Sequence, residues 1–288
     1  MYDNLANQIK QKNLDVHGIE IFQNGKITFK QCFSPDVRYP VYSATKSFVS
    51  TAVGIACDEG KISVDAPLYE FLDRKYLCCV PASQLDNFKK LTIERFMTMS
   101  VAGYPFRPSG SDWTEYALSL PVDYSRPPVF SYSNIPAYLV GTACENAVGE
   151  HLFSYLNKRL FEPLGITNPV YKDSPEGHFY GASGMELTVH ELSLLGQLYL
   201  QNGVFDGNRI LSEQWIKKAV SPHIANHEGG YGYFMWITDD GFRISGKWGQ
   251  KCLIYPQKNL MITYLSDLTE RAEEMLEIAE HTAECISV

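Results

Sequence analysis

The segment YPVYSATKSF, residues 39–48, holds Ser43 and Lys46 three positions apart. On a helix that spacing puts both side chains on one face. A free serine is a poor nucleophile and needs a base. A lysine can serve when burial and cationic or hydrogen-bonded surroundings lower its pKa. A serine at a helix start also has free backbone N–H groups nearby, which can stabilise an oxyanion. The pattern suits a Ser-Lys nucleophile. It equally suits a serine cap followed by a surface lysine, and a chain of this composition holds roughly one Ser-x-x-Lys by chance.

A second group is Tyr132-Ser133-Asn134, in FSYSNIPAYLVG. A phenol held between cations can act as base and acid in turn, so Tyr132 could relay a proton between Ser43, Lys46 and a leaving group. Asn134 could bind a polar group of a substrate. The structural alternative is a core tyrosine and an asparagine N-cap, with Pro136 in the first turn. A third group is ISGKWGQKCLIYP, with Gly246 and Gly249 on an expected strand. Glycine there marks close approach by a ligand or another backbone, or a bulge at a sheet edge. A strand edge beside a nucleophile could supply a second oxyanion N–H.

The elements that must position these groups follow from periodicity. The first residues read as a helix carrying Leu5 and Ile9. VHGIEIFQNGKITFKQCF alternates about Asn24-Gly25, a hairpin with a type I′ turn. Helical spacing then runs from Ser43 to Gly60, a good C′ residue. Residues 61–180 are rich in Pro, Gly and short helical patches, clearest in LTIERFMTMSVAGY, SNIPAYLVGTACENAVG and HLFSYLNKRLFEPLGI. TVHELSLLGQLYLQNG and SEQWIKKAV read as helices. YGYFMWIT, FRISG and KCLIYP…NLMITYLS read as three strands. The tail carries Ala272, Met275, Ala279 and Ile286 on one helical face. Two early and three late strands predict one five-stranded antiparallel sheet with the terminal helices on one face. The class is α+β rather than alternating βαβ. Residues 1–60 and 181–288 form a discontinuous sheet domain, and 61–180 a mostly helical one.

Apolar residues make up 45% of the 288 and charged residues 20%, as in ordinary globular chains. The net charge of −8 argues against a nucleic-acid partner, which would call for a basic face. No apolar run is long enough to span a bilayer. The N-terminus has no signal-peptide pattern. Seven cysteines, two of them adjacent at 78 and 79, do not suit a disulfide framework. The expectation is a cytoplasmic protein with mostly buried free thiols.

The order of the three groups is more specific than any one of them. Ser-x-x-Lys, then Tyr-x-Asn, then a glycine-containing strand near the C-terminus resembles the serine β-lactamase and penicillin-binding-protein-like family. The likeness is to the branch with class C β-lactamases, family VIII carboxylesterases and 6-aminohexanoate-dimer hydrolases. YSATKSF, FSYSN, EPLGI, YGYFMW and GASGMELTVHELSLLGQLYLQNGVFDGNRILSEQW carry it across nearly the whole chain. The resemblance implies a β-lactamase/transpeptidase-like fold and no metal or cofactor. It implies Ser43 as the acyl-accepting nucleophile, Lys46 as its base partner and Tyr132 as the second proton-transfer residue. Asn134 would line the site, and Tyr42, Tyr104, Phe106 and Trp113 fall where such proteins place pocket walls. The backbone N–H groups of Ser43 and of a residue on the C-terminal strand would form the oxyanion hole.

That strand departs from the family's pattern of Lys or His, then Thr or Ser, then Gly. Lys247-Trp248-Gly249 keeps the lysine but places Trp in the middle. Ile244-Ser245-Gly246 keeps the small pair and lacks the cation. The run GQKCLIYP favours the second register, which makes Lys247 the second oxyanion N–H and puts Ser245 and Gly246 beside the substrate. Without a cation at 244, recognition of a carboxylate is weakened. The expectation is a serine hydrolase for a small-molecule ester, amide or β-lactam-like substrate. Its alternatives are a β-lactamase or D,D-carboxypeptidase, and a non-catalytic ligand-binding member. Ser183 in GASGM resembles a nucleophile elbow but lacks the second glycine. His223, His227 and Glu228 lie in what reads as a loop, which suits surface histidines better than a metal site.

Overall fold

Asn24 and Gly25 both have positive φ, 51° and 81°, the type I′ geometry that matches the twist of a hairpin. They join β1 (Val16–Gln23) to β2 (Lys26–Cys32) in a computed structural model that describes residues 2–287. Six further strands complete one sheet: β3 (Ile224–Asn226), β4 (Gly229–Tyr231), β5 (Trp236–Ile237), β6 (Phe242–Gly246), β7 (Gln250–Tyr255) and β8 (Leu260–Ser266). The strand order is β2-β1-β8-β7-β6-β5-β4-β3, and every pairing is antiparallel.

Eight strands replace the five expected. The segment YGYFMWIT, read as one strand, is two. Between them Tyr233 N–H donates to the Ala219 carbonyl and Phe234 N–H to the Met97 carbonyl, at 2.9 and 3.1 Å. Those bonds pull the backbone out of the sheet, and Phe234 takes a left-handed φ of 56°. Gly232 permits the detour, since a Cβ there would come within 2.1 Å of the Ala219 carbonyl oxygen. Residues 221–230, read as a loop, contain β3 and its turn into β4, closed by Asn226 Nδ2 donating to the Gly230 carbonyl at 3.0 Å.

The long helices are α1 (Tyr2–Gln11), α2 (Thr45–Asp58), α3 (Asn134–Val148), α4 (Val189–Leu200) and α5 (Ala272–Cys285). As expected, α1 and α5 cover one sheet face, burying Leu5, Ile9, Met275 and Ala279 against Ile19, Ile21, Ile262 and Tyr264. The opposite face receives α4, whose Gly196 leaves no room for a side chain. A Cβ there would lie 2.4 Å from Cys252 Sγ and Met261 Sδ. Thr188 and Glu191 start α4 with a reciprocal capping box. The central helix α2 is buried on all sides from Thr45 to Ala56, which accounts for its lack of a polar face. It packs against α3.

Two local expectations fail for local reasons. LTIERFMTMSVAGY forms only a short helix, Ile93–Met97. Met99 turns left-handed and accepts Ser131 N–H at 2.8 Å, which ends the helix. The seven cysteines are free, but only Cys144 and Cys252 are buried; Cys32, Cys78 and Cys285 are exposed. Among the described residues no helix is long and apolar enough to cross a membrane.

Candidate active site

The turn that carries Ser43 is held from both ends. Tyr39–Pro40 pairs with Glu186–Leu187, and Val41 N–H donates to the Met185 carbonyl at 3.0 Å. Tyr42 then adopts a φ of 47°, uncommon for a bulky residue and a mark of imposed backbone strain. A single 3₁₀ turn, Tyr42–Ala44, leads into α2. Ser43 is half-buried, whereas Lys46 is 1% exposed.

Lys46 Nζ donates to Asn134 Oδ1 at 2.7 Å and to the Ala182 carbonyl at 2.7 Å, and stands 3.1 Å from Ser43 Oγ. All three partners are uncharged. Burial alone therefore acts on the amine, and it pushes the pKa well below the ordinary lysine value. Tyr132 lies over the same group, its ring centroid 5.0 Å from Nζ. Burial raises its phenol to about 12, opposed by a hydrogen bond with Ser43.

Asn134 is free for this work because it is not the cap of its helix. Ser133 is: its Oγ accepts Ile135 N–H at 3.1 Å and donates to the Pro105 carbonyl at 2.7 Å. The Asn134 amide spans two partners, accepting from Lys46 and donating from Nδ2 to the Tyr180 hydroxyl at 2.9 Å.

Tyr180 and the Ala182 carbonyl were not foreseen. Their signal is the glycine pair of YGASG. A Cβ on Gly181 would lie 2.3 Å from Val49 Cγ2 of α2, so the turn can only press on that helix through glycine. Trp113 joins the site at one remove, its ring edge-on to Tyr180 at 4.8 Å. Tyr104 does not turn toward the pair. It is buried, and its hydroxyl bonds that of Tyr124 at 3.0 Å.

The third group meets the nucleophile turn through Gly246. A Cβ on that residue would come within 2.2 Å of the Val41 carbonyl oxygen. Lys247, Trp248 and Gly249 form the tight turn between β6 and β7, with φ of 63° and 84° at the last two. Ser266 Oγ bonds the Trp248 and Gly249 carbonyls at 2.8 and 2.9 Å and fixes the turn. The Trp248 ring stands edge-on to Tyr42 at 5.1 Å. Ile244 is wholly buried in the main core. The Lys247 ammonium lies 4.1 Å over the Trp248 ring. Ser245 Oγ accepts a 2.6 Å bond from Lys251 Nζ across the strand pair. By alternation Ser245 and Lys251 face the terminal helices, opposite to Gly246.

Ser183 belongs to the same turn as Tyr180 and Ala182, its N–H on the Tyr180 carbonyl. His223 stacks on Tyr233 at 4.4 Å with Nδ1 3.2 Å from Glu94, and His227 is exposed.

A family model described as Beta-lactamase matches residues 16–284. The chain belongs to the Beta-lactamase family. This is a family of serine hydrolases. Among its relatives is a 6-aminohexanoate-dimer hydrolase of Paenarthrobacter ureafaciens, 24% identical over 233 residues. The match covers 74% of this chain and 56% of that hydrolase. A β-lactamase/D-alanine carboxypeptidase from Pseudomonas syringae superposes with a TM-score of 0.78 at 14% identity, covering 99% of this chain and 98% of that one. A penicillin-binding protein from Bacillus halodurans gives 0.74 at 17% identity, covering 96% and 99%. The eight-stranded sheet with its helices is thus the fold of this family.

Proposed function

We propose that this Beta-lactamase-family protein is an esterase or amide hydrolase that works through an acyl-Ser43 intermediate. The observation that carries the reading is the partner set of Lys46. A neutral amine has two N–H donors and one lone pair. Asn134 Oδ1 and the Ala182 carbonyl can only accept, so they take both N–H groups and aim the lone pair at the Ser43 hydroxyl, 3.1 Å away. Burial favours that same neutral form.

In the forward step Lys46 takes the Ser43 proton as Oγ attacks the carbonyl carbon. The oxyanion is held by the backbone N–H groups of Ser43 and Lys247. The carbon–heteroatom bond then breaks, and Tyr132 delivers a proton to the leaving atom while recovering one from Lys46. Water attacks the acyl-enzyme by the reverse sequence.

The third motif supports esters or amides over β-lactams and D-alanyl peptides. Residue 244 is an isoleucine in the core, and the ammonium of Lys247 is spent on the Trp248 ring. Ile244-Ser245-Gly246 is the register that puts Gly246 against the nucleophile turn.

The test is incubation with a p-nitrophenyl ester, a chromogenic cephalosporin and a fluorophosphonate, beside a Ser43→Ala control, with intact-mass spectra for adducts. Ester turnover and a fluorophosphonate adduct that both vanish in Ser43→Ala are expected. Wild-type protein with neither turnover nor adduct would sink the hydrolase reading. Turnover surviving in Ser43→Ala would sink the choice of nucleophile. Cephalosporin cleavage matching the ester rate would move the function to a β-lactamase.

A further inference from the structure

We propose that the rings packed around Tyr132 form a shelf for an aromatic group on the leaving side of the substrate; this rests on the acyl-Ser43 reading. Tyr132 sits among other rings. Its centroid is 5.6 Å from Trp236 at an interplanar angle of 31°, 6.5 Å from Phe106, 6.5 Å from Phe130 and 6.2 Å from Tyr231. Phe130, Tyr231 and Trp236 also close on one another at 5.2 to 5.8 Å. These separations are those of favourable aromatic packing.

The cluster is not a closed core. Phe106 and Val129 are each 52% exposed, while Phe130, Tyr132 and Trp236 are half-buried. Apolar surface of this kind, contiguous with a reactive group, marks a place for a ligand. Two cations border the shelf. Lys46 and Arg107 lie over ring faces, those of Tyr132 and Phe106.

The side follows from the proton path. The leaving atom must stand beside the Tyr132 hydroxyl to receive its proton, so the group attached to that atom lies against the rings around Tyr132. Tyr132 and Trp236, tilted by 31° with centroids 5.6 Å apart, offer ring surface against which a planar group can pack.

The experiment compares benzyl acetate with 2-methylpropyl acetate, whose alcohols leave with similar basicity and which share an acyl group. The wild-type protein should favour the benzyl ester by about fivefold in kcat/KM. Trp236→Ala and the solvent-exposed Phe106→Ala should each cut that preference by half or more, and Trp236→Phe should keep most of it. Turnover of both esters without a benzyl preference overturns the shelf and leaves the hydrolase reading standing. So does a preference that both alanine variants retain. If neither ester turns over and no adduct forms on Ser43, the hydrolase reading falls and the shelf with it, a result distinct from turnover without preference.

Discussion

Asn134 Oδ1 stands 2.7 Å from Lys46 Nζ, and the same amide holds Tyr180 through Nδ2. A neutral acceptor at that place satisfies the amine while favouring its charged form far less than an anion would. A carboxylate there would favour the ammonium and raise its pKa. Asn134→Asp should therefore move the acid limb of the kcat/KM profile to higher pH, since Lys46 must be neutral to accept the Ser43 proton. In the wild type that limb should lie below the ordinary lysine value of 10.5. At neutral pH the variant should lose about tenfold or more of its activity. A limb that stays in place, or moves down, excludes Lys46 as the base.

Tyr132 has its phenol raised to about 12 by burial, so it keeps its proton at neutral pH. Tyr132→Phe keeps the ring and its packing and removes the donor. We expect kcat to fall by about 10²- to 10⁴-fold with KM little changed. A kcat within about threefold of wild type would assign the leaving-group proton to another group.

How much of this was legible depends on how local each feature is. The helix from Ser43 to Gly60 and the hairpin about Asn24-Gly25 were plain because periodicity and turn signals lie within a few residues. The edge of the sheet was not. β3, β4 and β5 are two or three residues long, too short for alternation to register. Their course is set by tertiary bonds from 233 and 234 to residues 219 and 97. The Ser43–Lys46 spacing was visible for the same reason that it was ambiguous: it is local. What makes the pair specific, Asn134 Oδ1 and the Ala182 carbonyl, comes from 88 and 136 residues away. Tyr180 belongs to a turn, where no periodicity ties it to Asn134.

Gly246 has no room for a methyl group. Its Cβ would lie 2.2 Å from the Val41 carbonyl oxygen, a backbone atom that cannot swing aside. Gly246→Ala should separate β6 from the Ser43 turn, with a stability loss of about 1–3 kcal/mol. The Lys247 N–H would move with the strand, and kcat should drop by about 10²-fold. Thermal unfolding and steady-state kinetics read the two effects separately. Full activity with unchanged stability would mean that the strand does not press on the nucleophile turn.

An ion pair away from the site, between buried Glu20 and part-exposed His190, makes a prediction of opposite kind. Glu20 is fully buried in β1 and accepts from the Ser193 hydroxyl, while its Oε2 lies 2.9 Å from His190 Nδ1. The bond to Glu20 raises the His190 pKa above 6.5. Burial opposes it, Lys30 lowers it further, and Asp36 adds to the rise. A histidine raised in the folded state binds its proton more tightly there than in the unfolded chain. Its contribution is thus complete below the unfolded value near 6.5 and is lost as pH climbs through the folded pKa. His190→Gln removes that proton linkage and keeps a donor for Glu20. The gap in melting temperature between wild type and variant should be widest in mild acid and should narrow as pH rises past the folded pKa. His178, raised in the same direction by Glu145, is common to both proteins and cancels in the difference. A gap that stays constant, or widens with rising pH, would show that His190 does not bind its proton more tightly in the folded protein.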